Sequence, residues 1–285
     1  RAVAPLDETT LQHNLAQLVA AELLYQRGRP PQATYIFKHA LTQEVSYNSV
    51  LQERRKAWHE HTAQAIEALF HSRLDEHYSD LAHHYSRSGN AAKAVEYLSL
   101  AGQQAARQSA NADAINLLTA ALELLKTLPH TPERAQQELT LQVALGVSLS
   151  ASKGYAAPEV GIAYTRAFEL CRQVGEPPQL ALVLRGLFRF YLIRGEHRAA
   201  SELAEQTLRL AQSTQDPMSL LEAHMELGCS SYELGEFVPA LEHLEQGIAL
   251  YDSEKHQFHA FHYGMDPSVK CLSFAARALW YLGYP

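Results

Sequence analysis

The sequence predicts an all-α chain, an α-α superhelix of stacked helix pairs, which follows a small segment containing a β-hairpin. Three observations carry this reading. Apolar residues recur at helical spacing after about Leu74, glycines interrupt them at matching offsets, and the composition lacks the turn-formers that a loop-rich or all-β chain needs. Of 285 residues, 47% are hydrophobic and 19% charged, with 14 glycines and 12 prolines, which excludes disordered and low-complexity classes. There is no run of 18 apolar residues and no signal-peptide order, so a cytoplasmic location is expected. Cys171, Cys229 and Cys271 form no CxxC pair, the usage of buried thiols in a reducing compartment rather than of a disulfide framework or a zinc site.

Residues 9–24 read as an amphipathic helix with Leu11, Leu15, Leu18 and Val19 on one stripe. Residues 23–25 and 33–37 then flank the turn-formers Arg27, Gly28, Arg29, Pro30 and Pro31, as the strands of a hairpin do. A helix over about residues 39–51 follows. Another, over 53–70, is expected to turn Trp58, Thr62, Ala65, Ile66 and Leu69 inward. Helix, hairpin, helix is the order in which a winged-helix unit ends. We therefore expect a winged-helix-like end of an ATPase module at 1–52, a connecting helix at 53–74 and helical repeats at 75–285.

Within the repeats, Leu81, Ala82, Tyr85, Gly89, Ala94, Leu98 and Ala101 share their offsets with two later sets. These are Leu187, Phe188, Tyr191, Gly195, Ala200, Ala204 and Thr207, and Leu227, Gly228, Ser231, Gly235, Ala240, Leu244 and Gly247. The pattern resembles the tetratricopeptide repeat, in which glycine turns the chain between helix A and helix B and small residues let the two approach closely. Gly195 and Gly235 stand 40 residues apart, longer than the 34 of the short repeat, and the extra length sits at 213–217, where Asp216-Pro217 stops one helix and starts the next. Weaker units are marked by Leu145-Gly146 with Ala167, turned at Gly154, and by a helix over 111–128 with Ile115, Leu118, Leu122 and Leu125 at spacings of three and four. A last unit starts at Pro267 and reaches Trp280-Tyr281-Leu282-Gly283 without a second helix, so it is incomplete and the repeats are expected to continue beyond Pro285.

Two strings are more specific. Tyr35-Ile36-Phe37-Lys38-His39-Ala40-Leu41-Thr42-Gln43-Glu44-Val45-Ser46-Tyr47, followed by Arg54, Arg55 and His59, closely resembles the F-x-H-A-L-x-x-E-V-x-Y stretch that joins the ATPase to the tetratricopeptide region in large bacterial signalling proteins. His256, Tyr263-Gly264, Asp266-Pro267, Cys271-Leu272 and Leu279-Trp280-Tyr281-Leu282-Gly283-Tyr284-Pro285 look like a second signature of the same proteins. Those proteins carry a class III adenylate or guanylate cyclase domain, or sometimes a protein kinase domain, then an AAA-like, STAND-type ATPase, then the repeats. The resemblance covers nearly the whole chain. It implies a protein-interaction and regulatory region, the C-terminal control arm of a nucleotide cyclase; the alternative is an ATP-dependent transcriptional activator or a kinase-ATPase fusion. ATP and Mg are implied only for domains upstream. The chain holds no G-x-x-x-x-G-K-[ST], so no cofactor, no catalytic residue and no enzymatic activity of its own are expected.

Several residues invite a functional reading. Phe37, His39, Glu44 and Tyr47 of the joining string could couple nucleotide state to the repeats, or could pack and cap a strand-to-helix turn. Arg54-Arg55-Lys56 is the one compact basic run and reads as a solvated face, too small for a nucleic-acid footprint. No metal site is expected; His256, His259 and His262, with Asp266, come nearest to one, against a loop whose aromatics pack on the repeats. His59 with His61, and His83 with His84, are set aside because neighbours on one helix point apart. The concave face of the A helices is the expected binding surface, through Leu182, Arg185, Arg189 and Leu192 of one unit and Glu222, Met225, Cys229 and Tyr232 of the next. The Lys/Asn clamp for a C-terminal carboxylate is absent. Such a groove suits a helix or extended peptide, from another protein or from the same polypeptide; equally, these side chains could pack between repeats. Neither nucleic acid nor membrane is expected as a partner. The net charge of −7 belongs to the repeats, since residues 1–73 hold eight cations against seven anions and the rest sixteen against twenty-four.

Overall fold

A computed structural model describes residues 6–30, 32–175, 178–252 and 266–284, and the chain divides into two compact units. The first comprises Arg1–Gln104 with Ala120–Leu128, the second Ala105–Thr119 with Pro129–Pro285. Among the described residues the chain is helical apart from one two-stranded antiparallel sheet. No helix there is long and apolar enough to cross a membrane.

The first unit opens with α1 (Glu8–Ala20), whose N-cap Asp7 accepts a hydrogen bond from the Thr10 amide at 2.9 Å. The helix stops short of the expected Leu24. Glu22 takes a left-handed conformation (φ 59°), the Leu23 amide returns to the Leu18 carbonyl at 3.0 Å, and the chain enters a hairpin. Its strands are β1 (Leu24–Arg27) and β2 (Thr34–Phe37), with Leu24 opposite Phe37. Lys38 pairs with Glu22 at 2.8 Å and ties the hairpin's exit to the end of α1. Next come α2 (Ala40–Ser49), α3 (Gln52–Leu69), a 3-10 turn (Leu74–His77), α4 (Tyr78–Ser88) and α5 (Ala91–Arg107).

The core of this unit lies among α3, α4 and α5, where Ala63, Leu81, Tyr85, Ala94, Tyr97 and Leu98 are buried. That packing carries the unit past residue 74, where the sequence suggested a boundary. Trp58 and Leu69, expected to face inward, are 47% and 66% exposed. Among the described residues of the hairpin and its two flanking helices only Leu24 is buried. The segment is thus a helix–hairpin–helix with an open apolar side.

In the second unit α7 (Pro132–Lys153) pairs with α8 (Pro158–Val174), α9 (Leu180–Ile193) with α10 (His197–Thr214), and α11 (Pro217–Glu233) with α12 (Phe237–Leu250); α13 (Pro267–Tyr281) follows. The helix α6 (Asn111–Leu125) has its residues up to Thr119, with the buried Leu118, in this unit, and its residues from Ala120 on, with the buried Leu122 and Leu125, in the first. Thr131, Asp216 and Asp266 cap α7, α11 and α13 through their side-chain oxygens, each followed by proline at the first helical position. Three helices end identically. The Glu196, Glu236 and Tyr284 amides return to the carbonyls of Tyr191, Ser231 and Leu279 at 2.9, 2.9 and 3.0 Å, across Gly195, Gly235 and Gly283 at φ 78°, 81° and 88°. The helices inside and between pairs approach closely at Gly161, Gly186 and Gly228.

Candidate functional site

The joining string surrounds a cavity of about 500 Å³ in the first unit. Phe37 at the end of β2 and Glu44 and Tyr47 on α2 line it, with Trp58 and His59 from α3 and His83 and Arg87 from α4. His39 does not line it. That residue precedes α2 in extended conformation (φ −131°, ψ 130°), and its side chain makes no capping bond.

Tyr47, His59 and His83 of this lining belong, with His84, to a cluster that helix spacing alone does not reveal. Tyr47 Oη lies 2.9 Å from His59 Nε2, and His59 Nδ1 lies 2.9 Å from His84 Nδ1. The rings of His59, His83 and His84 have centroids 5.1 to 5.9 Å apart. Adjacent histidines do diverge on one helix, but α3 and α4 cross here, so His59 meets both members of the His83-His84 pair. Arg87 Nη1 sits 2.9 Å from His83 Nδ1, and Arg55 stacks over the Tyr47 ring at 5.0 Å. Burial, then the charges of His84, His83, Arg87 and Arg55, pushes His59 down to about 4. Burial likewise lowers His83 and His84. At neutral pH the cluster is three neutral imidazoles, and the His59–His84 contact requires one nitrogen to donate and the other to accept.

In the second unit the side chains expected to face the concave surface mostly pack between helices. Arg185 on α9 forms an ion pair with Glu222 on α11, 13% and 8% exposed. Met225 and Cys229 are buried. Tyr232 is enclosed by the rings of Phe237, Phe274 and Tyr281 at 5.6, 5.2 and 6.1 Å. Arg189, partly buried as Arg185 and Tyr232 are, stacks on Tyr155 with its guanidinium 5.4 Å from the ring centroid and donates to Tyr155 Oη at 3.0 Å. Glu226, one turn after Glu222, went unnoticed in the sequence. Fully buried, it is pushed up to about 7 by burial and then by the Glu222 charge, with Arg185 and Arg189 pulling the other way.

Other sequence candidates have plain roles. All three cysteines are free and buried, and burial pushes Cys229 up to about 12 and Cys271 to about 11, so their thiolates are scarce. Asp266 caps α13 through the Ser268 amide at 2.9 Å and accepts from Tyr251 Oη at 3.0 Å. His256, His259 and His262 lie outside the described residues. Among the described residues no group of three or more His, Cys, Asp or Glu side chains is arranged to hold a metal ion, the His59, His83 and His84 cluster included.

No protein-family model matches the chain. An uncharacterized protein of Rhizobium meliloti (strain 1021) is 24% identical over 257 residues, which are 89% of this chain; the chain spans about a quarter of that relative's length, 25%. Among solved structures, the apo form of RapI superposes with a TM-score of 0.53 at 12% identity over 85% of this chain and 67% of its own. BtubC from P. vanneervenii gives 0.50 at 16% identity over 70% and 91%. A signal transduction ATPase with numerous domains and a tetratricopeptide repeat sensor, from Pyrococcus horikoshii, gives 0.49 at 14% over 95% and 55%. At such identities, what the first two share with this chain is a fold, that of tetratricopeptide-like helical repeats.

Proposed function

We propose that this chain is a protein-interaction and regulatory module, the control region of a multidomain signal-transduction ATPase like those fused to class III nucleotide cyclases. One observation carries the interaction reading. The ion pair between Arg185 and Glu222 locks successive A helices together, and on that support Arg189 and Tyr155 are held stacked on each other. A polar pair fixed in advance loses little freedom when a helix or an extended peptide docks on it. The joining string supports the ATPase reading, since its Phe37, Glu44 and Tyr47 surround one cavity and so act as one joint. The nucleotide-binding and cyclase parts belong, on this reading, to the parent polypeptide.

The test is made in the full-length protein. Arg189→Glu combined with Tyr155→Ala should change the rate of cyclic-nucleotide synthesis or ATP turnover by about fivefold or more, the usual lower range of allosteric coupling, with the helical content unchanged. Unchanged rates would remove the regulatory reading. A full-length protein that makes no cyclic nucleotide would remove the cyclase reading and leave the interaction reading standing.

A further inference from the structure

We propose that the cavity of the joining string binds a small aromatic carboxylate, with the carboxylate held by Arg87 and His83 and the ring by Trp58, Tyr47 and Phe37. The hydrogen-bond inventory is half of the argument. An arginine only donates, so the 2.9 Å contact of Arg87 Nη1 with His83 Nδ1 makes that nitrogen the acceptor and puts the ring proton on Nε2. Burial and then the Arg87 charge lower the pKa of His83, which keeps the ring in this neutral form. Among the described residues nothing accepts from His83 Nε2. Arg87 spends Nη1 on His83 Nδ1 and on the His83 carbonyl at 3.4 Å, which leaves Nη2 and Nε without a partner among those residues, and no carboxylate there pairs with it. The two side chains stand one turn apart on α4 and both line the cavity. Unspent donors carrying one positive charge therefore meet whatever occupies it.

The remaining lining selects the rest of the ligand. Phe37, Tyr47 and Trp58 are 37%, 40% and 47% exposed, three rings left open around about 500 Å³, a volume in the range of small-molecule sites. Tyr47 is fixed in advance by His59 Nε2 at 2.9 Å and by the Arg55 guanidinium 5.0 Å from its ring centroid, so the wall it forms loses little freedom when a ring stacks there. Charge decides between anions. One guanidinium matches one carboxylate, whereas a phosphate monoester brings a second negative charge into a cavity that Glu44 also lines. Every lining residue belongs to the first unit. The site is separate from Arg189 and Tyr155, and the inference goes beyond the proposed function without resting on it.

The probe is hydrocinnamate, added to the whole chain and read by the fluorescence of Trp58. The chain's other tryptophan, Trp280, is 69% exposed on α13 and is removed by Trp280→Phe. The signal should saturate with a Kd on the order of 1 mM or tighter, the reach of a ligand this small. Arg87→Gln should weaken binding by about tenfold or more, and Arg87→Lys, which keeps the charge and loses the fork, by less. His83→Phe, which removes the Nε2 donor, should weaken it by about fivefold. Hydrocinnamyl alcohol and phenethyl phosphate, which carry a similar ring and chain with no charge and with two, should each bind about tenfold or more weakly than the carboxylate. Saturation transfer from the protein to the phenyl protons is the second readout, for a ligand that docks without altering Trp58 emission. No saturable signal in either readout would overturn the proposal. So would binding that ignores Arg87→Gln or His83→Phe in a chain of unchanged helical content, or an alcohol or phosphate that binds as tightly as the carboxylate.

Discussion

Glu67 accepts hydrogen bonds from two tyrosines on different helices, Tyr85 Oη of α4 at 2.7 Å and Tyr97 Oη of α5 at 2.5 Å, and from Lys93 at 3.2 Å. The two rings stack with centroids 5.5 Å apart, so one carboxylate on α3 fixes the packing of three helices. Burial works to raise its pKa, and the bonds from Tyr97, Tyr85 and Lys93 outweigh that and hold it below the usual value. Deleting the acceptor strands two hydroxyls, which costs more than a shared hydrogen bond contributes. We expect Glu67→Leu to lower stability by about 2 kcal/mol in urea unfolding. Adding Tyr85→Phe and Tyr97→Phe should recover part of that loss, since apolar partners leave nothing stranded. Strictly additive losses would show that the hydroxyls find other acceptors. Nothing in the sequence marks Glu67, because its partners stand 18 and 30 residues away and a lone glutamate on a helix reads as solvated.

Helix pairs close where a glycine faces a ring. A Cβ on Gly186 of α9 would lie 2.4 Å from the Tyr164 ring of α8, and one on Gly161 of α8 would lie 2.4 Å from Phe190 of α9. An added methyl must displace a buried aromatic in both cases. Gly186→Ala should therefore cost about 1–3 kcal/mol by overpacking. Gly235→Ala meets nothing within 4 Å, and its cost, about 1 kcal/mol, should come only from the left-handed backbone at φ 81°. Thermal unfolding of the two variants checks the ranking, and an equal or reversed order would contradict it. The turn glycines were legible in the sequence because a turn fixes their offset from the small residues of the next helix. Gly186 was not, since its partner is set by how α8 lies on α9. The same limit explains Trp58 and the histidines: periodicity says which residues share a stripe, but not whether another element covers it or which helix crosses it.

Across the whole chain two kinds of ionisable group have opposite pH sense: histidines lowered by burial, in the first unit and at His224 and His243 of the second, and the buried Glu226 of the second. In the first, His59, His83 and His84 are lowered from 6.5, His59 to about 4. The unfolded chain then binds more protons between those values, so the cluster's contribution is fully present above about pH 6.5 and is lost as pH falls toward 4. In the second, Glu226 is raised from 4.5 to about 7, so its contribution is fully present below 4.5 and is lost as pH rises through 7. The full shift at Glu226 corresponds to a loss on the order of 3 kcal/mol at most. Hydrogen exchange, corrected for intrinsic rates, should thus show α4 better protected at pH 8 than at pH 5, and α11, in a chain with His224→Phe and His243→Phe so that these lowered histidines do not oppose the trend, better protected at pH 5 than at pH 8. Glu226→Gln should flatten the trend in α11 and leave α4 alone, while His59→Phe should reduce the trend in α4 and leave α11 alone. If both segments moved the same way, or if either substitution flattened both, the titrations would not be local to their units, and the assignment of acid sensitivity to the α3–α4 histidines and base sensitivity to Glu226 would fail.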